Sequence, residues 1–392
     1  MYIKKSVLII CTAVIVLVTA VGTVMAVNPF GAFRFDDFFK LNTGVAVLRN
    51  YFYEDLDSEK LVDGALLGAS YSAEDPYTVY MNSKTAESFL ESVESDDYTG
   101  IGLYITNDPE DSRVTVVSPL SSSPAEKAGI VSGDKILEIN GEAVSGDNID
   151  EVASNLKGKE GTEVHLKILK KSSGETAEVT LVREMIKRET VSSKMIDGEV
   201  GYIQITQFGV NTYDEFAKQF NSLVDGGMKK LVIDLRNNPG GYVDVAVQIA
   251  DTFLDDGEIV YTLNRNGKKR DYKAEKGSVK LPVAVLTNGG SASASEILTG
   301  ALRDRGIAKS IGEKTFGKGV TQIPYQFRDG SIMKITDSRY YTPNGVCIDK
   351  EGIEPDVTVK MSDEKYANIS NLTFAEDEQL KMAVEVLKSG EK

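Results

Sequence analysis

What most restricts the fold open to this chain is an alternation that sets in at Val200, where short aliphatic runs take turns with stretches of helical periodicity. Val200–Ile205 is predicted as a strand and Tyr213–Val224 as a helix; Leu231–Leu235 is a β-branched and aliphatic strand that suits burial in a parallel sheet. A helix over Val243–Leu254, a strand over Val283–Leu286 and a helix from Ser293 to Arg303 continue the pattern, which predicts an α/β layered domain. Strands near Val320–Phe327, Ser331–Tyr341 and Asp356–Val359 are expected to extend the same sheet. Ligand sites in such sheets sit beyond the carboxyl ends of the strands, so the loops after Leu235 and Leu286 are where chemistry is expected.

At 392 residues the chain is too long for one ordinary core, and the region ahead of Val200 has a different texture. Apolar residues at Val45, Leu48, Phe52, Leu61, Ala65 and Leu66 fall three or four apart, which predicts a helical subdomain over 35–95. From Thr99 to Arg183 the pattern becomes short strands and turns. Ser123-Pro124-Ala125-Glu126-Lys127-Ala128-Gly129 reads as a short helix with its N-cap, first-turn proline, capping-box glutamate and terminating glycine. Asn140-Gly141 marks a hairpin-type turn, a helix is expected near 148–156, and Val164–Leu169 and Thr176–Val182 are further strands. A last helix is predicted from Glu376 to Leu387 in a C-terminal tail, 362–392.

The net charge of −15 and the absence of a Lys/Arg cluster argue against nucleic acid as a partner. Cys11 and Cys347 are the only cysteines and His165 the only histidine, so neither a disulfide framework nor a structural metal site is expected. Lys4 and Lys5 precede an uncharged stretch from Ser6 to Val27, long enough to span a bilayer. Residues 1–27 are therefore read as a single-pass cell-membrane anchor with everything after them extracytoplasmic; the alternative is a secretory signal cleaved near Ala26.

The most informative segment is Leu286-Thr287-Asn288-Gly289-Gly290-Ser291-Ala292-Ser293-Ala294-Ser295-Glu296-Ile297, a buried strand that turns through glycines into a helix. A hydroxyl at such an elbow is exposed on a tight turn, beside free amides that favour developing negative charge; helix capping by small residues is the plainer reading. A serine nucleophile needs a base. His165 lies in an alternating strand far from the elbow, which makes a Ser-His-Asp triad a poor fit and turns attention to lysine. Lys318, bracketed by Gly317 and Gly319, is the candidate, and Gln322 four residues later is placed to orient its amine. A phosphate-loop reading fails because Gly319 follows the lysine.

Two resemblances follow. Gly100-Ile101-Gly102-Leu103, the Ser123–Gly129 helix and the Gly133–Gly141 strand together resemble a PDZ domain, of the circularly permuted kind inside bacterial secreted proteases, over 97–185. Amides at Gly100, Ile101, Gly102 and Leu103 suit a chain-terminal carboxylate, and the adjoining strand edge suits an extended peptide; a plain mixed barrel is the alternative. Ser291–Glu296 and Thr315–Gly319 are similar to the signatures of the carboxy-terminal processing peptidases, or tail-specific proteases. That resemblance spans roughly Val45 to Val359 and implies a multidomain α+β and α/β chain: N-terminal helical subdomain, PDZ domain and a crotonase/ClpP-like peptidase core over 186–361.

The same resemblance implies Ser293 as nucleophile, Lys318 as base, Gln322 as the lysine's partner and Asp304 as a supporting acid, although a salt-bridged helix end accounts for Asp304 equally well. The loop Asp234–Gly241 is a further family string, from which Gly240 or Gly241, with Ala294, is expected to supply the oxyanion hole. Val320-Thr321 departs from the usual string and leaves the catalytic positions intact. The implied activity is a cofactor-free serine endopeptidase acting on proteins with accessible C-termini, with a homodimer left open. A non-catalytic PDZ scaffold and a crotonase-like acyl-transfer enzyme are the rivals.

Overall fold

Leu231, Val232, Ile233 and Asp234 are all buried, as a strand covered on both faces must be. The computed structural model describes residues 14–16, 19, 35–94, 98–108, 111–120, 123–186, 189–275, 279–362, 365–366, 369 and 372–390. In it this strand belongs to a six-stranded sheet of order Val191–Ile196, Val200–Ile205, Lys230–Asp234, Val283–Thr287, Ala308–Gly312, Val357–Thr358. The first pair is antiparallel and the rest run parallel.

Strand alternation divides the side chains between two cores. Ile203, Ile205, Leu231, Ile233 and Val285 face the helices Thr212–Asp225, Val243–Asp251 and Ala294–Asp304, which bring Phe216, Ile249 and Leu298. Tyr202, Val232, Ala284 and Leu286 face the C-terminal helix Glu378–Ser389 through Leu380, Ala383, Val384 and Leu387. The helix expected in a tail is thus the third layer of this α/β unit.

Two of the late strands depart from expectation. Val320–Gln326 and Ile332–Tyr341 do not extend the parallel sheet; they pair with each other in a second, antiparallel sheet. Ile323 and Tyr325 are exposed, a pattern that suits a sheet with one solvated face rather than a strand buried on both sides. The parallel edge is taken instead by Ala308–Gly312, whose lysine, serine and glycine obscure its strand character. The second sheet also contains the hairpin Gly257–Asn264 and Lys269–Ala274, which turns at Gly267 (φ 73°) beside Asn266, a hairpin signal present in the sequence.

The region 35–95 has the helices Phe35–Tyr51, Ser58–Tyr71 and Ser83–Glu94, but it is not helical throughout. Val79–Met81 is extended and pairs antiparallel with Ile332–Lys334, so this region supplies a strand to the second sheet. The unit that follows has its own core around Ile101, Val116, Ile136, Val164 and Ile168. Its strands run in the order Leu103–Asn107, Val114–Pro119, Lys135–Ile139, Glu163–Leu169, Thr176–Val182. The chain enters and leaves this unit through one antiparallel pair, Tyr98–Gly100 with Glu184–Ile186.

The expected membrane segment and Cys11 lie outside the described residues, apart from 14–16 and 19; among the described residues no helix is long and apolar enough to cross a membrane. Cys347 is a free thiol.

One buried charge network ties the layers together. Asp234, at the end of its strand, accepts hydrogen bonds from the Tyr202 hydroxyl at 2.7 Å and from Arg236 Nε at 2.9 Å. Arg236 reaches across to Asp377, the N-cap of the C-terminal helix, at 2.8 Å, and to Gln379 at 3.1 Å. Burial and the Asp234 charge raise the Tyr202 hydroxyl well above its usual range, while the two carboxylates hold the guanidinium charged against the cost of its burial. Asp377→Ala leaves Arg236 under-compensated and uncaps the helix, so urea unfolding is expected to show a loss of about 3–5 kcal/mol.

Candidate active site

The strand Val283–Thr287 ends in the Asn288–Ala292 loop, and Ser293 is the N-cap of the helix Ala294–Asp304. Ser293 has φ 55° and ψ −113°, a conformation that a residue with a Cβ adopts only when its surroundings impose it. The surroundings are a set of crossing hydrogen bonds. Asn288 Oδ1 accepts the amides of Asn237 and Gly290 at 2.9 and 3.0 Å, and Ser291 Oγ donates to Leu235 O at 2.7 Å. Asn238 O accepts the Ala292 amide and the Ser295 hydroxyl, each at 3.0 Å. The loops after the two central strands are therefore one fabric, at the sheet end where the topology places a site.

Glu296, the fourth residue of the elbow, is wholly buried. Its Oε2 accepts the amides of Ser293 at 2.8 Å and Lys318 at 2.9 Å. Its Oε1 accepts the Gly317 amide at 2.8 Å and the Thr315 hydroxyl at 2.6 Å. One carboxylate thus clamps the backbone of both proposed catalytic residues to a shared point. Burial raises its pKa, and the four donors oppose that rise. Its role was not read from the sequence, although it closes the Ser291–Glu296 signature.

Ser293 and Lys318 line the same cavity of about 530 Å³, together with Gly241, Gln322, Asp337 and Tyr340. The Lys318 amine is half-buried and its pKa is lowered, first by desolvation and then by Lys334, against an opposing pull from Glu296. It lies 4.8 Å from the centroid of the Tyr77 ring. In this arrangement it makes no hydrogen bond to Ser293 or to Gln322, a looseness common in unliganded sites. Gln322 Nε2 turns instead toward Val320 O and Thr336 Oγ1, both at 3.4 Å. The four-residue spacing presumed a regular helix or strand, whereas the pairing shifts register at Thr321/Gln322.

Gly240 and Gly241 are required by close approach. A Cβ on Gly240 would stand 2.7 Å from Ser293 Cβ, and one on Gly241 would stand 2.1 Å from Phe208 O. The Gly240 amide is already bonded to Asn238 Oδ1 at 2.9 Å. Among the described residues no acceptor takes the amides of Gly241 or Ala294, and Gly241 lines the cavity. Asp304 lies at the far end of the elbow helix, outside the cavity lining, where it accepts the Asn344 amide at 3.0 Å. His165 is exposed on the sheet of the inserted unit, with Nδ1 2.8 Å from Thr180 Oγ1.

A second candidate site lies in that unit. Gly102 (φ 73°) turns the chain so that Ile101 O accepts the Ala125 amide at 3.0 Å and Gly102 O accepts the Leu120 amide at 2.9 Å. Because a trans peptide points its N–H opposite its C=O, the amides of Gly102 and Leu103 face the other way. That side opens on Leu103–Asn107, the edge strand of its sheet, beside the helix Ile149–Leu156.

A strained serine on an elbow and a half-buried lysine lining the same cavity suit a serine peptidase. Residues 199–359 match peptidase family S41, residues 115–170 match the PDZ domain, and residues 23–85 match the activating protease CtpB N-terminal domain. The carboxy-terminal processing protease CtpA of Bacillus subtilis (strain 168) is 39% identical over 87% of this chain and 72% of its own length. CtpB of the same organism is 39% identical over 83% and 68%. Among solved structures, the photosystem II D1 C-terminal processing protease is 30% identical with a TM-score of 0.53, covering 86% of this chain and 88% of that one. The chain belongs to peptidase family S41 and is a carboxy-terminal processing serine protease with a PDZ domain. The scaffold and acyl-transfer rivals fall away.

Glu296→Gln keeps the shape of the clamp but turns a donor toward donors. It is expected to lower kcat roughly a hundredfold with little change in KM, and to lower stability by about 1–3 kcal/mol. Unchanged kcat in a steady-state peptide assay would show that the clamp does not position the catalytic pair.

Proposed function

We propose that Ser293 is the nucleophile and Lys318 the general base of this protease, acting on proteins whose C-termini are first held by the PDZ unit. The observation that carries this reading is the Glu296 carboxylate, which holds on a single oxygen the amides of Ser293 and Lys318, two residues that line one cavity. In the proposed cycle Ser293 Oγ attacks a peptide carbonyl carbon as its proton passes to Lys318 Nζ. The tetrahedral oxyanion is met by the free amides of Gly241 and Ala294, which makes Gly241 the better choice of the two glycines. Lys318 returns the proton to the departing amine, leaving an acyl-enzyme that water hydrolyses by the reverse path. Gln322 lines the same cavity and is given the role of orienting the lysine amine. Asp304 is given a supporting role, fixing the end of the elbow helix against the Asn344 turn.

Substrate capture rests on the turned-out amides of Gly102 and Leu103 and on the free edge of Leu103–Asn107, which suit a terminal carboxylate and an added strand. Gly100 and Ile101 shape that turn. The units proposed are 35–95, 97–185 for the PDZ domain, and 186–361 for the peptidase core, to which the helix of 362–392 is added. Purified residues 28–392 are expected to cleave an unfolded protein such as casein, and Ser293→Ala or Lys318→Ala to abolish cleavage. Because desolvation lowers the lysine, kcat/KM is expected to rise with pH through a limb below the ordinary lysine range. A peptide with a free C-terminus should be cleaved faster than its amidated twin. Undiminished turnover in either alanine variant would end the Ser–Lys reading.

An extracytoplasmic site of action is proposed on the Lys4-Lys5 and Ser6–Val27 pattern, with a membrane anchor as the first form and cleavage near Ala26 as the second. A homodimer is proposed from the exposed apolar residues of the first two helices, among them Phe39, Val47, Leu48 and Val62. Fractionation of cells is expected to recover the chain with the membrane, and light scattering of residues 28–392 to give twice the chain mass. A soluble chain beginning near Val27 would replace the anchor by a signal, and a monomer would remove the dimer.

A further inference from the structure

We propose that Tyr77, from the segment ahead of the PDZ unit, is a positioning residue for the general base: its ring face holds the Lys318 amine and stabilises the ammonium which that amine becomes. The inference rests on the Ser293–Lys318 reading above. The amine lies 4.8 Å from the ring centroid, inside the roughly 6 Å reach of a cation–π contact. The ring is held in place from both sides of the chain. Asp75 accepts the Tyr77 amide at 3.3 Å and the Thr78 hydroxyl at 2.7 Å. Thr78 Oγ1 in turn accepts the Thr336 amide at 3.1 Å, and Val79–Met81 pair with Ile332–Lys334. That partner strand also pairs with Val320–Gln326, the strand that begins two residues after Lys318. Ring and amine are thus referenced to one strand, although they come from opposite ends of the sequence.

The charged groups around the pair are Glu296 from the elbow helix, Lys334 from the long strand, and Asp349 and Asp75 near the ring; Asp337 lines the same cavity. Burial, with Asp349, Asp75 and Glu296, raises the Tyr77 hydroxyl, so a neutral ring faces the amine. When the proton moves from Ser293 Oγ to Lys318 Nζ as the Oγ–carbon bond forms, a neutral amine becomes a cation. A π face attracts the cation and not the amine, so the contact strengthens as the reaction proceeds and contributes to the rate rather than to substrate affinity. The same contact favours the protonated resting lysine, opposing desolvation and Lys334.

The test is kcat/KM against pH for the full chain, its Tyr77→Phe and Tyr77→Leu variants, and Lys318→Ala, on one peptide with thermal unfolding as the control. Tyr77→Leu keeps an apolar contact without the π face. It is expected to lower the high-pH plateau by about threefold or more and to shift the acid limb to lower pH, whereas Tyr77→Phe leaves both within about twofold. A merely structural role would lower the plateau without moving the limb. An unmoved limb in Tyr77→Leu, or equal losses in Phe and Leu, overturns the inference. If Tyr77→Leu does not fold, Tyr77→Trp decides, because the strongest π face must move the limb upward. Full activity in Lys318→Ala would overturn the Ser–Lys reading itself.

Discussion

Glu296 has no exposed surface, yet its two oxygens accept four hydrogen bonds, one from the elbow itself and three from the Thr315–Lys318 loop. Much of the active centre follows from that arrangement. Burying a carboxylate costs several kcal/mol unless its lone pairs are filled, so the Thr315–Lys318 loop cannot relax away without orphaning the charge. The Ser293 amide is one of the four donors, and it belongs to a residue whose backbone is strained. A strained residue persists only where its neighbours over-determine it, and the carboxylate supplies that from the helix side.

The other side of the elbow is fixed by amide chemistry. Asn238 Oδ1 accepts the Gly240 amide at 2.9 Å and its Nδ2 donates to Ile205 O at 2.8 Å. This satisfies the first glycine of the pair internally and leaves the second open toward the cavity. In the proposed mechanism the Gly241 amide is a preorganised donor, effective because it is in place before charge develops. The loop that carries it is anchored at its start by Asp234 and Arg236, and through Arg236 by Asp377 of the C-terminal helix. The far end of the chain therefore has a mechanical claim on the donor loop, without lining the cavity itself.

These connections explain which parts of the molecule were legible in the sequence. The central parallel strands announced themselves because they are mostly aliphatic and β-branched, and the elbow because its glycines and serines are consecutive. Lys318 stood out through its flanking glycines and the absence of a usable histidine. Tertiary placement was not legible. Glu296 reads locally as a first-turn helix acid, and nothing in its neighbourhood says that Thr315 and Gly317 will arrive as donors. Gln322 was assigned by a spacing that holds in a regular helix or strand, and the register shift at Thr321/Gln322 leaves its amide turned toward Val320 O and Thr336 Oγ1. Val79–Met81 was hidden because three residues carry too little periodicity to interrupt a helical pattern, yet that strand brings Tyr77 to the lysine.

Lys318 is held at both ends by groups with opposed preferences. Its backbone amide is bound to a carboxylate and its side-chain amine lies on an aromatic face, and both favour the ammonium. Burial and Lys334 favour the neutral amine, and they prevail, since the pKa is lowered. Opposed influences of this kind suit the general-base role proposed for Lys318, in which the amine takes up a proton and later returns it. Desolvation alone would give a neutral lysine with no reason to take a proton, and a hydrogen-bonded ion pair would give a permanent cation. Glu296 avoids the second outcome because its oxygens are already occupied by amides and a hydroxyl, so its charge is felt by the amine at a distance without capturing it.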